Sequence, residues 1–200
     1  MSAHEAVSVA EACDDERPGS ARERLLLAAC DLFCRQGINV TGVDAVVAAA
    51  GTAKTTLYKA FGSKEGLVEA VLEREGRIWR DWFVGKVDDI PGDATNKLVH
   101  LFDVLQEWFA EENFFGCPFI NAVGEHDKND DRMRAIALRH KKVVLDKIRE
   151  LAKDARPHDP EGLTHELALL IDGAIVAALI TRDPGVATHA RNAAARVLMK

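Results

Sequence analysis

Residues 41–64 read T-G-V-D-A-V-V-A-A-A-G-T-A-K-T-T-L-Y-K-A-F-G-S-K, and this stretch decides the fold. Val43, Val46, Val47 and Ala50 recur at helical spacing and give a short helix one buried side. Thr41, with Asp44 three residues on, is a weak capping pair at its start. Gly51 ends the helix and permits the left-handed backbone that a tight interhelical turn needs. Ala48, Ala49 and Ala50 are small enough for the two helices to approach closely where they cross. The second helix, from about Lys54 to Phe61, presents Lys54, Thr55, Thr56, Tyr58 and Lys59. Cations, hydroxyls and an aromatic ring suit phosphates, sugars and base edges. Lys64 falls in the first turn of the next helix, where free N–H groups and the ammonium would serve a phosphate together. The bland alternative is a helical hairpin with a solvated basic face.

Upstream, Ser20 and Glu23 have the spacing of a capping box. Leu25, Ala28, Ala29, Leu32 and Phe33 then form a helical apolar face, and Gly37 stops it. Residues 1–19 are acidic, small and expected to be disordered. Downstream, Ser63 caps a longer helix carrying Leu67, Val68, Val71, Leu72, Ile78 and Trp82, and D-D-I-P-G at 88–92 breaks it. Further helices are expected near 93–112, 118–125, 129–155, 160–183 and 185–199. That makes nine, in an all-α chain with no internal repeat.

The segments A-R-E-R-L-L-L-A-A-C-D-L-F (21–33), T-G-V-D-A-V-V-A-A-A-G (41–51) and K-T-T-L-Y-K-A-F-G-S-K-E-G-L (54–67) together resemble the TetR family of regulators. The resemblance implies a three-helix DNA-binding domain at 20–66 and a helical ligand-binding and dimerisation domain at 67–200. It places Thr41, Lys54, Thr55, Thr56, Tyr58, Lys59 and Lys64 at positions that usually face DNA. This chain departs from the family pattern in three places. Ala53 stands where a capping Ser is common, so Thr52 would cap the helix or its end would fray. Lys59-Ala60 replaces an aromatic–His pair, and Gly66 replaces a helix former.

Nine of the twelve aromatic residues lie between Trp79 and Phe119. They form either plain core or the walls of an apolar ligand site. As a site, Trp82, Phe102, Trp108 and Phe119 would supply the walls, with Asn121 and His140 as polar anchors. Leu167, Leu170, Ile171, Ala174 and Ala178 form one stripe of the penultimate helix, while Ala168, Ile175, Val176 and Leu179 occupy its other sides. A helix apolar nearly all round needs covering on more than one side, most simply by a second copy. The last helix adds a small-residue face, Ala187, Ala190, Ala194 and Val197. By resemblance these two helices form a four-helix dimer interface that includes Leu167, Ile171, Ile175, Leu179, Ala190, Ala194 and Val197. Asp172 is expected to hydrogen-bond locally.

Composition agrees with a globular chain: 48% apolar and 29% charged over 200 residues. The net charge of −6 argues against DNA at first. Its distribution does not: residues 1–16 carry −5, 17–80 carry +3 and 81–200 carry −4. Cys13, Cys30, Cys34 and Cys117 show no metal spacing and no disulfide framework. Cys30 and Cys34 share a helix face, yet helix geometry cannot join them in an unstrained disulfide. No signal peptide is visible, and the apolar run 167–181, broken by Asp172, is expected to be too short to span a bilayer.

The expectation is therefore a cytoplasmic, homodimeric transcription regulator without cofactor or metal, and not an enzyme. As a repressor it would bind a near-palindromic operator and leave it on binding a small, largely apolar ligand. The rivals are a helical adaptor that binds protein alone and an enzyme. The clustered Lys54, Tyr58, Lys59 and Lys64 argue against the adaptor. No nucleophile–base arrangement or phosphate loop favours the enzyme.

Overall fold

Ser20 opens the first helix. Its Oγ accepts the Glu23 backbone N–H at 3.1 Å, while the Glu23 carboxylate reaches the Gly19 N–H at 3.2 Å. The return bond of the capping box thus lands one residue earlier than Ser20. The structure, a computed structural model, describes residues 19–126, 131–156 and 158–199; apart from Gly19, the segment 1–19 lies outside these residues. Among the described residues there are nine helices and no strand: α1 (Ala21–Gln36), α2 (Val43–Ala49), α3 (Lys54–Phe61), α4 (Lys64–Asp89), α5 (Ala94–Phe109), α6 (Pro118–Glu125), α7 (Arg132–Ala155), α8 (Pro160–Thr181) and α9 (Val186–Leu198).

The chain packs as two units. The first holds α1 to α3, α4 as far as Ile78, α6, and α7 as far as Leu138. Leu25, Ala29, Val46, Leu57 and Leu67 lie at its centre, each at most 1% exposed. Burying one such side chain fully is worth about 1.5–3 kcal/mol. α4 runs past residue 66 without a break, and its Leu67, Val68, Val71 and Leu72 are buried core residues of the first unit.

The second unit holds the remainder of α4 and α7, with α5, α8 and α9. α9 packs on both α5 and α8. Ala187 and Ala194 are buried on α9, and Arg191 Nη1 donates to Asp103 of α5 at 2.7 Å. The small-residue face therefore serves packing within the chain first. Asp172 does not bond locally: it pairs with Lys141 Nζ of α7. α8 is 22 residues long, and by length and composition alone it could cross a membrane. The helix expected over 160–183 has this length; the run 167–181 is only its most apolar part. One side of α8 is covered by α5 and α9, which gives Leu163 and Leu167 no exposure at all.

Candidate nucleic-acid interface

The turn between α2 and α3 is built by its backbone. Gly51 has φ +58°, the left-handed value that favours glycine. The Thr52 N–H reaches the Val47 carbonyl at 3.0 Å and the Gly51 N–H reaches Ala48 at 3.2 Å. These are the two bonds of a Schellman motif, which satisfies carbonyls at the end of α2. Arg24 of α1 donates from Nε to the Ala50 carbonyl at 3.0 Å and ties that end to the first helix. Only Ala50 of the three alanines is buried; Ala48 and Ala49 are exposed, so they do not form the helix crossing. Val46, Val47 and Leu57 fill it instead.

α3 starts without a side-chain cap at Ala53, and the buried Thr52 Oγ1 has no hydrogen-bond partner, so Thr52 does not replace the missing cap. Along α3 only Leu57 is buried, while Lys54, Thr55, Tyr58 and Lys59 are exposed and Thr56 is half-buried. Leu57 anchors the helix inward, and the sequence pattern turns the polar residues outward. Lys54 is held by Asp44 of α2 at 2.6 Å, and that carboxylate raises its pKa. Lys59 and Lys64 extend the cationic surface, Lys64 being half-buried.

At the start of α4, Ser63 Oγ accepts the Gly66 N–H at 3.1 Å. Backbone donation and the Ser63 hydroxyl hold the Glu65 carboxyl below its usual range. Gly66 is required there, because a Cβ would lie 2.1 Å from the Phe61 carbonyl oxygen.

Burial corrects one member of the expected set. Thr41 is 1% exposed, and its hydroxyl donates to the Gly37 carbonyl at 2.7 Å. It shapes the loop between α1 and α2 and presents no hydroxyl to a ligand. Nor is it the cap of α2, whose N-cap is Gly42. Arg22 was missed by sequence reasoning. It is exposed, and its guanidinium lies 5.3 Å from the centre of the Phe61 ring, beside the end of α3. The only signal in the sequence was a basic residue in the first turn of α1.

The expected ligand residues divide between the units. Trp82, Phe102, Trp108 and His140 belong to the second, Phe119 and Asn121 to the first. Trp82 and Trp108 are buried, and both rings lie near Trp79, which stacks on Phe83 with centres 4.9 Å apart. The Trp79 Nε1 atom is buried with no hydrogen-bond partner. A group of this kind costs about 1–3 kcal/mol when left unpaired. His140 accepts a hydrogen bond at Nδ1 from Arg80 at 2.9 Å. Burial, then Arg80 and Lys141, push its pKa down to about 3, so the ring is neutral.

The expected dimer residues divide as well. Leu167, Ile171, Ile175 and Ala194 are buried within the chain, whereas Ala190 and Val197 are half-buried and Leu179 is 37% exposed. The outward face of α8 is a different stripe: Leu169 (73% exposed), Gly173, Val176 and Ile180 (74%).

A family profile described as "Bacterial regulatory proteins, tetR family" matches residues 25–71, and one described as "Tetracyclin repressor-like, C-terminal domain" matches residues 94–194. The HTH-type transcriptional repressor KstR2 of Mycolicibacterium smegmatis is 36% identical over 93 residues, 46% of this chain and 43% of that protein. The HTH-type transcriptional activator FasR of the same organism is 42% identical over 60 residues, 30% of this chain and 26% of its own. The chain thus spans less than half the length of these two curated relatives. The crystal structure of a TetR-family transcriptional regulator from Streptomyces coelicolor superposes with TM-score 0.80 at 28% identity, covering 90% of this chain and 96% of that one. A TetR-type regulator from Streptomyces avermitilis gives TM-score 0.72, also at 28% identity, over 88% and 98%.

Proposed function

Because the chain belongs to the tetR family of bacterial regulatory proteins, we propose that it is a sequence-specific DNA-binding transcription regulator that reads its operator with α3. The observation that carries this reading is the exposure of Thr55, Tyr58 and Lys59 on the second helix of the helix-turn-helix, with Lys64 behind them. Arg22 joins them as a phosphate contact. Residues 20–66 carry this task, and residues 67–200 carry ligand binding and dimerisation.

Two copies pair through the outward stripe of α8, Leu169, Val176 and Ile180, with Leu179, Ala190 and Val197 at its margin. The operator is then a near-palindrome, because two-fold symmetry presents two α3 helices. Covering by a second copy also accounts for an apolar α8 in a cytoplasmic protein. The effector is a small, largely apolar molecule with a hydrogen-bond acceptor. It binds in the cluster of Trp79, Trp82, Phe102, Trp108 and His140, and the unpaired Trp79 Nε1 supports this placement. Its binding releases DNA, which makes the protein a repressor; KstR2 carries that name among the relatives. α4 belongs to both units and is the coupling element. Sequencing the genomic fragments retained by the purified protein tests the reading: a shared near-palindrome is expected, and retention without a common sequence contradicts it.

A further inference from the structure

Cys30 and Cys34 lie one turn apart on one face of α1, and both are half-buried. The two thiols neighbour one another, and the Glu75 carboxylate of α4, itself paired with Arg74 at 2.7 Å, lies near them. Side chains four apart on a helix have Cβ atoms about 5–6 Å apart. A disulfide needs about 3.8 Å between them. A direct sulfur–sulfur bond would distort the helix, whereas a bridge with one more atom between the sulfurs has the required length.

The bridging atom is constrained by the ligands available. A thiophilic divalent metal such as zinc takes four ligands in structural sites. Among the described residues no group of three or more His, Cys, Asp or Glu is placed to hold a metal. A trivalent organoarsenical needs only two sulfurs, because its third bond goes to its own carbon. We propose that Cys30 and Cys34 form a dithiol site for trivalent organoarsenicals, on the helix that supports the DNA-reading pair.

One sulfur attacks the arsenic of R–As(OH)2 as the thiolate, the reactive form. An As–O bond breaks, and hydroxide leaves as water with the thiol proton. The second sulfur displaces the other hydroxyl in the same way. Two As–S bonds and two waters form, arsenic stays trivalent and nothing is oxidised. The second bond is intramolecular, so the adduct gains the advantage of linked binding, about 100-fold or more over a single thiol.

The site does not depend on DNA binding. The test uses the full chain, phenylarsine oxide and intact-mass measurement. Trypsin cuts after Arg24 and Arg35, so peptide 25–35 contains both thiols and neither Cys13 nor Cys117. The expected result is one phenylarsenic per chain, located on peptide 25–35. It resists excess 2-mercaptoethanol and is removed by 2,3-dimercaptopropanol. Cys30→Ala and Cys34→Ala should each weaken retention about 100-fold. An adduct that forms on other peptides, yields to the monothiol, persists in either variant or fails to form overturns the proposal. The peptide position is read on the unsubstituted protein, so it stands even if a variant misfolds.

Discussion

Asn39 and Glu125 stand 86 positions apart and are joined by two hydrogen bonds. The Asn39 backbone N–H donates to Glu125 Oε2 at 2.9 Å, and Asn39 Nδ2 donates to the Glu125 carbonyl at 2.6 Å. The loop before α2 is thereby tied to the end of α6, within the first unit. Both bonds are exposed, so each is worth about 1 kcal/mol or less. Glu125→Ala and Asn39→Ala should each lower the unfolding free energy read from urea titration by about that much. Each side chain bonds the other residue's backbone, so neither substitution removes the other's bond, and the double variant should lose about the sum of the two. Single variants as stable as the unsubstituted protein would show that these bonds do not form in solution.

Two glycines of α4 should respond in opposite directions to the same change. A Cβ at Gly66 would meet the Phe61 carbonyl oxygen at 2.1 Å, whereas one at Gly85 meets nothing within 4 Å. Gly85→Ala should stabilise by up to about 1 kcal/mol through helix propensity. Gly66→Ala should destabilise by about 2 kcal/mol or more, since backbone must shift to admit it. Thermal melts of the two variants check the signs, and equal effects would contradict the close approach at Phe61.

The face of α8 separates assembly from folding. Val176→Glu and Ile180→Glu fall on exposed positions and should give folded monomers that lose operator affinity. Ile175→Glu, at 5% exposure, should unfold the second unit because it buries an unpaired charge. Sedimentation and circular dichroism distinguish the cases. A dimer that survives both exposed substitutions would place the interface elsewhere.

His140 makes stability depend on pH. Its folded pKa, about 3, lies below the ordinary 6.5. The unfolded chain therefore binds a proton that the folded chain refuses as the pH drops below 6.5. The stability is fully present above about pH 6.5 and is lost as pH falls from there toward 3, with a limiting slope of about 1.4 kcal/mol per pH unit. Between pH 7 and pH 5 the unsubstituted protein should lose about 2 kcal/mol more than His140→Gln. Urea titrations at the two pH values measure it, and parallel losses would mean that His140 is protonated in the fold.

The helices were legible because their signals are local. Ser20, Gly37, Gly51 and the apolar periodicities act within a few residues, and the nine helices of the described residues lie where those signals put them. Thr41 was misplaced because its burial comes from the loop folding back on Gly37, which no spacing shows. The faces of α8 were confused for a related reason. Periodicity identifies stripes, but whether Leu167 or Leu169 points inward depends on where α5 and α9 pack. The tie between Asn39 and Glu125 left no trace in the sequence, since two polar residues in separate loops have no pattern to match.

If α3 reads DNA, the salt dependence of operator affinity carries its signature. On one selected fragment, log Kd against log salt concentration should be linear for the unsubstituted protein, with a slope set by its phosphate contacts. Lys64→Ala should reduce that slope by about one unit and weaken binding to every sequence alike. Lys59→Ala and Thr55→Ala should instead change which base pairs are preferred, each costing about 1–3 kcal/mol at its position. Unchanged affinity, slope and preference in Lys59→Ala, Lys64→Ala and Tyr58→Ala together would remove α3 from the interface and contradict the account.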